Sequence, residues 1–201
     1  MDLETSRQRS SADVDILKKT LGSLPEPVTR PVMIMVSGLP GTGKSHFSHC
    51  LAKRFPAVVL ETDALRKALF SSPGYTPEES QRLFQACHLL IEELLRRGMC
   101  IILDATNLLE HQREHVYCIA DKASAQLIIV RAWAPEEVVA QRLVARWQRA
   151  NPDDKSDATW DVYQRMKPAV ERIRRNHLVV DTSKDIGPAI EKVLREAERS
   201  S

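Results

Sequence analysis

The most constraining feature of this sequence is a glycine-rich segment between a short apolar run and a helical pattern. The apolar run spans Val32 to Val36, and the helical pattern includes Phe47 and Leu51. The segment between them reads GLPGTGKS, and its three glycines allow backbone N–H groups to turn inward around an anion. A Walker A phosphate-binding loop (P-loop) requires this strand–loop–helix order. The alternative, a glycine-rich turn carrying a surface lysine, accounts for fewer of the eight residues.

Each residue type in this loop has an expected role toward a bound nucleotide. Lys44 would place a positive charge on the β- and γ-phosphates, and the Ser45 hydroxyl would bind Mg²⁺. The helix that begins here presents its partly positive N-terminus to the same phosphates. ATP and Mg²⁺ are therefore the predicted cofactors. The predicted nucleotide-binding residues are Gly38, Leu39, Pro40, Gly41, Thr42, Gly43, Lys44, Ser45 and His46.

The rest of the chain alternates short β-branched runs with longer helical patterns. This alternation is typical of a parallel sheet covered by crossover helices. We predict a three-layer α/β P-loop fold with strand order 2-3-1-4-5 and helices on both faces. Helices are predicted to start at the sequences TPEE (76–79) and APEE (134–137), where Pro occupies a first-turn position. The predicted strands are Val32–Val36, Ala57–Glu61, Met99–Asp104, Leu127–Arg131 and His177–Asp181.

The first 30 residues differ from the remainder in composition. They begin with a polar stretch, continue with Val14, Leu17 and Leu21 on one helical face, and end in a proline-rich linker. We expect this extension to pack loosely or not at all. The chain would then consist of an extension over residues 1–30 and a single domain over residues 31–201.

The charge balance and the lack of long apolar runs argue against nucleic acid or membrane as an extensive partner surface. The chain has 29 Lys and Arg against 27 Asp and Glu, and a formal net charge of +2 produces no strong field toward nucleic acid or anionic membrane. No apolar run approaches the roughly 20 residues needed to span a bilayer. The start of the chain is polar and charged, unlike a signal sequence. We expect a cytoplasmic protein without a membrane partner, and its four cysteines, which form no CxxC pair, are expected to be buried, reduced thiols.

An acidic residue ends the third predicted strand. The apolar run from Cys100 to Leu103 is followed by Asp104, as in a Walker B strand, so its carboxylate would lie beside the loop and near the metal. Ala105 follows, where many ATPases carry a water-activating glutamate, and this favours transfer to a substrate over hydrolysis. The alternative is an aspartate that only caps the strand end.

A second acidic residue follows the second strand. Asp63 would lie at the carboxyl edge of the sheet, where open α/β folds bind ligands, and Arg66 lies one helical turn further on. Asp63 could accept the proton of an acceptor hydroxyl as phosphate is transferred. It could equally cap a helix over residues 64–70 together with Thr62. The residues alone leave both interpretations open.

Several segments together carry a family resemblance. The sequences ETDALRKALF and LDATN, the following Arg113, and Arg142 and Arg146 on one predicted helix resemble the phage-type 5′-hydroxyl polynucleotide kinases. The chain is also similar to a wider AAA-type, ATP-binding group of small kinases that includes zeta-toxin-like phosphotransferases. The resemblance covers about Met33 to Asp181, which is most of the chain.

This resemblance implies roles for individual residues. Asp63 would be the general base, Arg66 would hold an acceptor phosphate, and Asn107 would also bind the acceptor. Asp104 could serve either the metal or the acceptor, because Ala105 separates it from the threonine and asparagine that follow. Arg142 and Arg146 would be catalytic arginines of a lid over about residues 142–160, with its tip at Asn151–Asp157, and residues 181–183 would run near the adenine. Without the resemblance, two arginines four residues apart indicate a solvated helix face.

The predicted function is therefore an ATP-dependent phosphotransferase that acts on a hydroxyl acceptor. The leading hypothesis for the acceptor is a polynucleotide 5′-hydroxyl end, and the alternative is a small metabolite, sugar or antibiotic. A nucleotide-driven switch or ATPase is a third class, but the chain lacks an NKxD segment and is too short for an AAA motor. The pattern HxxEH at residues 111–115 resembles a zinc-protease motif, yet it would lie on an outer-layer helix.

Overall fold

A computed structural model describes residues 3–149 and 156–199 as a five-stranded parallel sheet with helices on both faces. The strand order is β2-β3-β1-β4-β5, and each neighbouring pair is parallel, which confirms the predicted fold class and order. The first strand ends directly at the P-loop. The strands are β1 (Val32–Ser37), β2 (Val58–Glu61), β3 (Ile101–Asp104), β4 (Gln126–Trp133) and β5 (Leu178–Asp181).

Helices cover both faces of this sheet in the described ranges. In chain order they are α1 (Leu3–Lys18), α2 (Lys44–Ala52), α3 (Thr62–Leu69), α4 (Pro77–Arg96), α5 (Glu110–Lys122), α6 (Glu136–Arg149), α7 (Trp160–Met166) and α8 (Gly187–Glu198), with a 3₁₀ turn at Lys167–Ala169. In the part of the chain that the structure describes, no helix is both long and apolar enough to cross a membrane.

The sheet separates two apolar layers, because successive side chains of a strand point to opposite faces. In β1, Met33 and Met35 pack with residues of α1, α4 and α5, whereas Ile34 and Val36 pack with residues of α2 and α8. All six residues of β1 are buried. A central strand of a parallel sheet is covered on both faces, which explains why β1 reads as a continuous apolar run rather than an alternating one.

The start of α4 confirms one predicted helix boundary. Thr76 is the N-cap, and its hydroxyl accepts a hydrogen bond from the N–H of Glu79 at 3.2 Å. The Glu79 carboxylate accepts from the N–H groups of Gly74 and Tyr75, at 3.0 and 2.7 Å, and so fixes the preceding turn. The other predicted start is confirmed to within one residue, since α6 begins at Glu136, with Pro135 just before the helix rather than in its first turn.

The N-terminal helix corrects the expectation that the first 30 residues pack loosely. Val14 and Leu17 are buried in the same layer as α4. The buried Asp13 carboxylate accepts two hydrogen bonds from the Arg82 guanidinium, at 2.7 and 2.6 Å. The amphipathic face of α1 therefore covers apolar surface on α4, and a bidentate ion pair fixes its position. The division of the chain at residue 30 stays a prediction.

The four cysteines are free thiols. Cys87 and Cys100 are buried as expected, and burial raises the pKa of Cys87 to about 12. Cys50 is half-buried and Cys118 is exposed, so the expectation of burial is wrong for Cys118. Its position near the end of the polar outer helix α5 explains the difference.

We predict that α1 contributes substantially to stability. Leu17→Ala removes a fully buried side chain and should lower the free energy of unfolding by about 2–5 kcal/mol, measured by urea denaturation. Ile16→Ala is the matched control, because Ile16 is 37% exposed on the same helix, and it should cost less than about 1 kcal/mol. Equal losses in the two variants would show that α1 does not dock as described.

Candidate active site

The P-loop connects β1 to α2 and passes close to neighbouring backbone. A Cβ on Gly38 would lie 2.4 Å from the carbonyl oxygen of Ala132, so this position has no room for a side chain. Gly43 has φ 82°, and a Cβ there would lie 2.8 Å from the Thr182 hydroxyl. Glycine is needed at Gly38 for close approach and at Gly43 for both space and backbone conformation.

Lys44 lies at the centre of the predicted site. Its ammonium donates a hydrogen bond to the carbonyl oxygen of Leu39 at 3.0 Å, across the loop. Burial lowers the pKa of Lys44, the negative charges of Asp104 and Asp63 act in the opposite direction, and Arg146 lowers it further. These influences show that Asp63, Asp104 and Arg146 lie within electrostatic reach of the lysine. The structure therefore brings together four residues that the sequence analysis singled out.

Asp104 ends β3 beside β1, in register with Val36, and is 5% exposed. Burial raises the pKa of Asp104, while the Lys44 charge and a hydrogen bond from Ser45 act in the opposite direction. Its Oδ2 atom is buried and makes no hydrogen bond to any residue in the described ranges. A buried carboxylate oxygen without a partner, next to the P-loop hydroxyl, fits the oxygen ligands that Mg²⁺ prefers. The donor set is therefore suited to a magnesium ion shared with a nucleotide.

The loop after β3 is bound directly to the beginning of the P-loop. The Ser37 hydroxyl donates to the carbonyl oxygen of Thr106 at 2.9 Å, and the Gly38 N–H donates to the same oxygen at 3.2 Å. Asn107 has a positive φ of 44° and is 2% exposed. Its side-chain nitrogen is buried without a hydrogen-bond partner among the described residues. Asn107 therefore has an unpaired side-chain N–H group near this edge of the sheet.

Arg113 has a role that the sequence analysis missed. It is 1% exposed and donates to the Glu110 carboxylate at 2.8 Å and to the carbonyl oxygens of Asn107 and Leu108. Its remaining nitrogen donates to the carbonyl oxygens of residues 171 and 172. This buried cation ties the loop after β3 to the segment before β5. The carbonyl acceptors of residues 171 and 172 come from a distant part of the chain, so no local pattern could have indicated them.

Asp63 lies in the first turn of α3, and the N-cap is Glu61, which makes no side-chain capping bond. The structure thus makes Asp63 the second residue of the helix rather than its N-cap, which argues against the capping interpretation. Asp63 is half-buried, and its charge influences the pKa of both Lys44 and Asp104. Its carboxylate therefore faces the same edge of the sheet as the P-loop.

Arg66 is oriented toward the start of α4. It is 7% exposed, donates to the Ser80 hydroxyl at 3.1 Å and lies 3.7 Å from the Glu79 carboxylate. Its guanidinium also stacks on the Tyr75 ring, 5.0 Å from the centroid. Its partners in the structure are therefore the first-turn residues of α4 and Tyr75.

The last residue of the predicted lid tip, Asp157, contacts α3 and the connection between α3 and α4. The Asp157 carboxylate accepts hydrogen bonds from the Lys67 ammonium at 2.8 Å and the Tyr75 hydroxyl at 2.7 Å. Burial and the Asp157 carboxylate raise the pKa of Tyr75. Most of the predicted lid tip, residues 151–155, lies outside the described residues. Asp157 nevertheless shows that the end of this segment reaches α3 and Tyr75.

The two predicted lid arginines lie against the P-loop rather than on a solvated face. Arg142 donates to the Thr182 carbonyl oxygen at 2.6 Å and to its hydroxyl at 2.9 Å. The Thr182 hydroxyl in turn donates to the carbonyl oxygen of Thr42 at 2.7 Å. Arg146 lies one helical turn further and close enough to Lys44 to lower its pKa. Sequence analysis missed Thr182 as the residue that joins α6, the P-loop and the loop after β5.

The histidines are arranged separately from this cluster. His46, predicted to contact the nucleotide, is exposed on α2. His49 lies on the same helix, with its Nε2 3.0 Å from the Glu61 carboxylate. In the HxxEH segment, the His115 ring packs against His88 of α4 with 5.4 Å between ring centroids. His115 thus contacts a neighbouring outer helix rather than the carboxyl edge of the sheet.

A curated protein is similar to part of this chain. The L-seryl-tRNA(Sec) kinase of Methanococcus maripaludis is 26% identical over 123 residues, or 59% of this chain and 47% of that protein. The match therefore spans about half the length of this curated relative.

Two solved structures share the fold. The APS kinase of Mycobacterium tuberculosis, in complex with AMPPNP and APS, is 18% identical with a TM-score of 0.64, covering 86% of this chain and 99% of that one. A gluconokinase from Sinorhizobium meliloti is 20% identical with a TM-score of 0.56, covering 84% and 93%.

The family comparison agrees with the AAA-type part of the resemblance, while the polynucleotide-kinase part stays a prediction. The family described as AAA domain matches residues 33–173. This range contains the P-loop, Asp63, Asp104 and both lid arginines. The chain therefore belongs to the AAA domain family.

Proposed function

We propose that this protein is a kinase that transfers the γ-phosphate of ATP to a hydroxyl group of a small organic acceptor. The observation that carries the proposal is the convergence of Lys44, Asp63 and Asp104 at the carboxyl edge of β1, β2 and β3. Phosphoryl transfer needs at least a cation for the phosphates, a carboxylate for the metal and a second carboxylate near the acceptor. Lys44, Asp104 and Asp63 would fill these three roles in that order.

The P-loop residues would hold the nucleotide. Its backbone N–H groups, the Lys44 ammonium and the N-terminus of α2 supply positive potential for the β- and γ-phosphates. Ser45 and the unpartnered Oδ2 of Asp104 would hold Mg²⁺, which neutralises phosphate charge when bound. Arg146 adds a second cation beside Lys44. Catalysis in this reaction class rests mostly on such positioning and charge stabilisation.

Asp63 would act on the acceptor. As the acceptor oxygen bonds to the γ-phosphorus, the bond from that phosphorus to the bridging oxygen of ADP breaks, and the Asp63 carboxylate takes the hydroxyl proton. The products are ADP and a phosphate monoester. Asn107, with its buried and unused side-chain donor, would orient the acceptor.

Three observations favour a small acceptor over a polynucleotide end. The net charge of +2 provides no extended basic surface for a nucleic acid. Arg66, the residue expected to hold an acceptor phosphate, is buried against Glu79 and Ser80. Two of the fold relatives, the APS kinase and the gluconokinase, carry names that denote small acceptors.

A nucleic-acid hydroxyl is the second candidate acceptor. It is supported by the spacing of Asp63 and Arg66, which matches the polynucleotide-kinase motif. The name of the curated relative, a seryl-tRNA kinase, also indicates an acceptor carried on an RNA. The two candidates differ in what they require of Arg66, so one variant separates them.

Asp63→Asn tests the proposed base. The amide keeps the shape of the side chain but cannot accept the proton, so ATP should bind with unchanged affinity while transfer falls by about 10²–10⁴-fold. Turnover with γ-labelled ATP and binding of AMPPNP by calorimetry give the two quantities. Asp161→Asn, an identical change at an exposed position on α7, should leave both unchanged. Normal turnover per folded molecule in Asp63→Asn would mean that Asp63 is not the base.

An acceptor screen combined with Arg66→Ala tests the acceptor class. We expect wild-type enzyme to phosphorylate a member of a panel of sugars, sugar acids, amino alcohols and nucleosides more efficiently than a 5′-hydroxyl oligonucleotide. Because Arg66 is buried with an acidic neighbour, Arg66→Ala should lower the free energy of unfolding by about 3–5 kcal/mol. A stable Arg66→Ala protein with a raised KM only for the oligonucleotide would support the nucleic-acid acceptor instead.

A further inference from the structure

A cavity of about 360 Å³ lies between the carboxyl end of β4 and the segment spanning residues 163–173. Its wall includes the first residues of the P-loop, and it is defined here as the β4 cavity by Ser37, Leu39, Arg131, Trp133, Lys167 and Val170. We propose that the β4 cavity binds a small organic anion, with a carboxylate or phosphate group on Arg131 and an apolar body against Trp133 and Val170. This proposal goes beyond the proposed kinase reaction and does not depend on it.

The cavity exists because β4 extends beyond the helix that covers its face. Ile129 packs in the layer formed by α4 and α5, and Arg131 and Trp133 continue along the same face of the strand. Arg131 is paired in register with Ser37 of β1 and Val179 of β5. At this level the segment 163–173 covers the sheet instead of a long helix. The covering is incomplete, and Val179 is 55% exposed.

Arg131 supplies the attraction for an anion. It is exposed, and within residues 8–148 and 156–199 its guanidinium makes no hydrogen bond or ion pair. The other charged residues of the wall already form ion pairs or hydrogen bonds within the protein. Lys167 forms an ion pair with Glu136. The Glu171 carboxylate accepts a hydrogen bond from the Glu110 N–H. The guanidinium of Arg113 donates to carbonyl and carboxylate oxygens. Arg131 is thus the wall residue with five unused donors in a geometry that suits carboxylate or phosphate.

The remaining wall favours an apolar and planar ligand body. Trp133 is 39% exposed and Val170 is 36% exposed, so both present apolar surface to solvent. Leu108 and Ile173 are buried and contribute further apolar surface. The volume lies within the range of small-ligand pockets, which combine apolar walls with a few polar groups. An indole beside a guanidinium suits an aromatic acid or an aryl phosphate.

The β4 cavity is separate from the proposed acceptor site. Asp63 follows β2, and β2 and β4 are separated by β3 and β1, which corresponds to about 14 Å at the usual strand spacing. Leu39, on the wall, packs against the cluster of Val139, Leu143 and Tyr163, and Gly38 and Thr42 of the P-loop also line the cavity. A small ligand on Arg131 could not reach Asp63.

The test uses 4-fluorobenzoate and phenyl phosphate as probes, with 4-fluorobenzamide as the uncharged control, on the full chain. Binding is followed by ¹⁹F NMR and calorimetry. We expect saturable one-to-one binding of at least one charged probe, with the benzamide much weaker, and the better of the two probes identifies the preferred anionic group. Arg131→Gln should weaken that probe about tenfold, as expected for loss of charge-assisted hydrogen bonds. Arg174→Gln removes an exposed charge outside the cavity and should change affinity less than twofold.

Two further measurements locate the binding. Trp133→Leu should weaken both aryl probes, and a saturating concentration of AMPPNP with Mg²⁺ should leave probe binding in place. Displacement of the probe by AMPPNP would assign it to the nucleotide site and overturn the proposal. The proposal would also be overturned if the benzamide bound equally well or if Arg131→Gln left the affinity unchanged. It would be overturned, too, if neither charged probe bound saturably. Thermal unfolding of each variant checks that the fold is intact.

Discussion

The site depends on the parallel pairing of β1 with β3 on one side and β4 on the other. Parallel pairing brings the carboxyl ends of strands to one edge, where Val36 is in register with Asp104 and Ser37 with Arg131. The P-loop begins at this edge, and its first residues are bonded to the loop after β3 through the Thr106 carbonyl oxygen. A slip of one residue in β3 would move Asp104 to the opposite face of the sheet. The register of β3 against β1 therefore decides whether Asp104 lies beside the P-loop.

Two charged groups, Asp104 and Lys44, determine the electrostatics at this edge of the sheet. Asp104 is held in a buried position where its charge is costly, and Lys44 and Ser45 only partly compensate. One oxygen of that carboxylate is left without a partner in the described structure. Buried polar groups without partners are rare, and in functional sites they mark the place of a ligand. Lys44 is a cation, and burial lowers its pKa because the charged form is less well solvated. A phosphate and a divalent cation would satisfy both groups together.

Much of the fold was predictable because the relevant signals are local. The GLPGTGKS segment, the apolar runs of the strands and the Thr76 cap each lie within a few residues of the element that they specify. The docking of α1 was not predictable, since the partner of Asp13 is Arg82, far along the chain. The burial of Arg66 and the carbonyl contacts of Arg113 were missed for the same reason. Helix and strand patterns show which residues are apolar, but they do not show which distant backbone oxygen a buried arginine will meet.

The proposed role of the P-loop lysine is in phosphoryl transfer. It is tested most directly by comparing wild type and Lys44→Ala in the transfer of label from γ-labelled ATP to the acceptor identified by screening. Turnover should fall by roughly two orders of magnitude or more, because charge stabilisation of the transferring phosphate is lost while the fold is retained. Activity within a few-fold of wild type in a folded Lys44→Ala protein would contradict it.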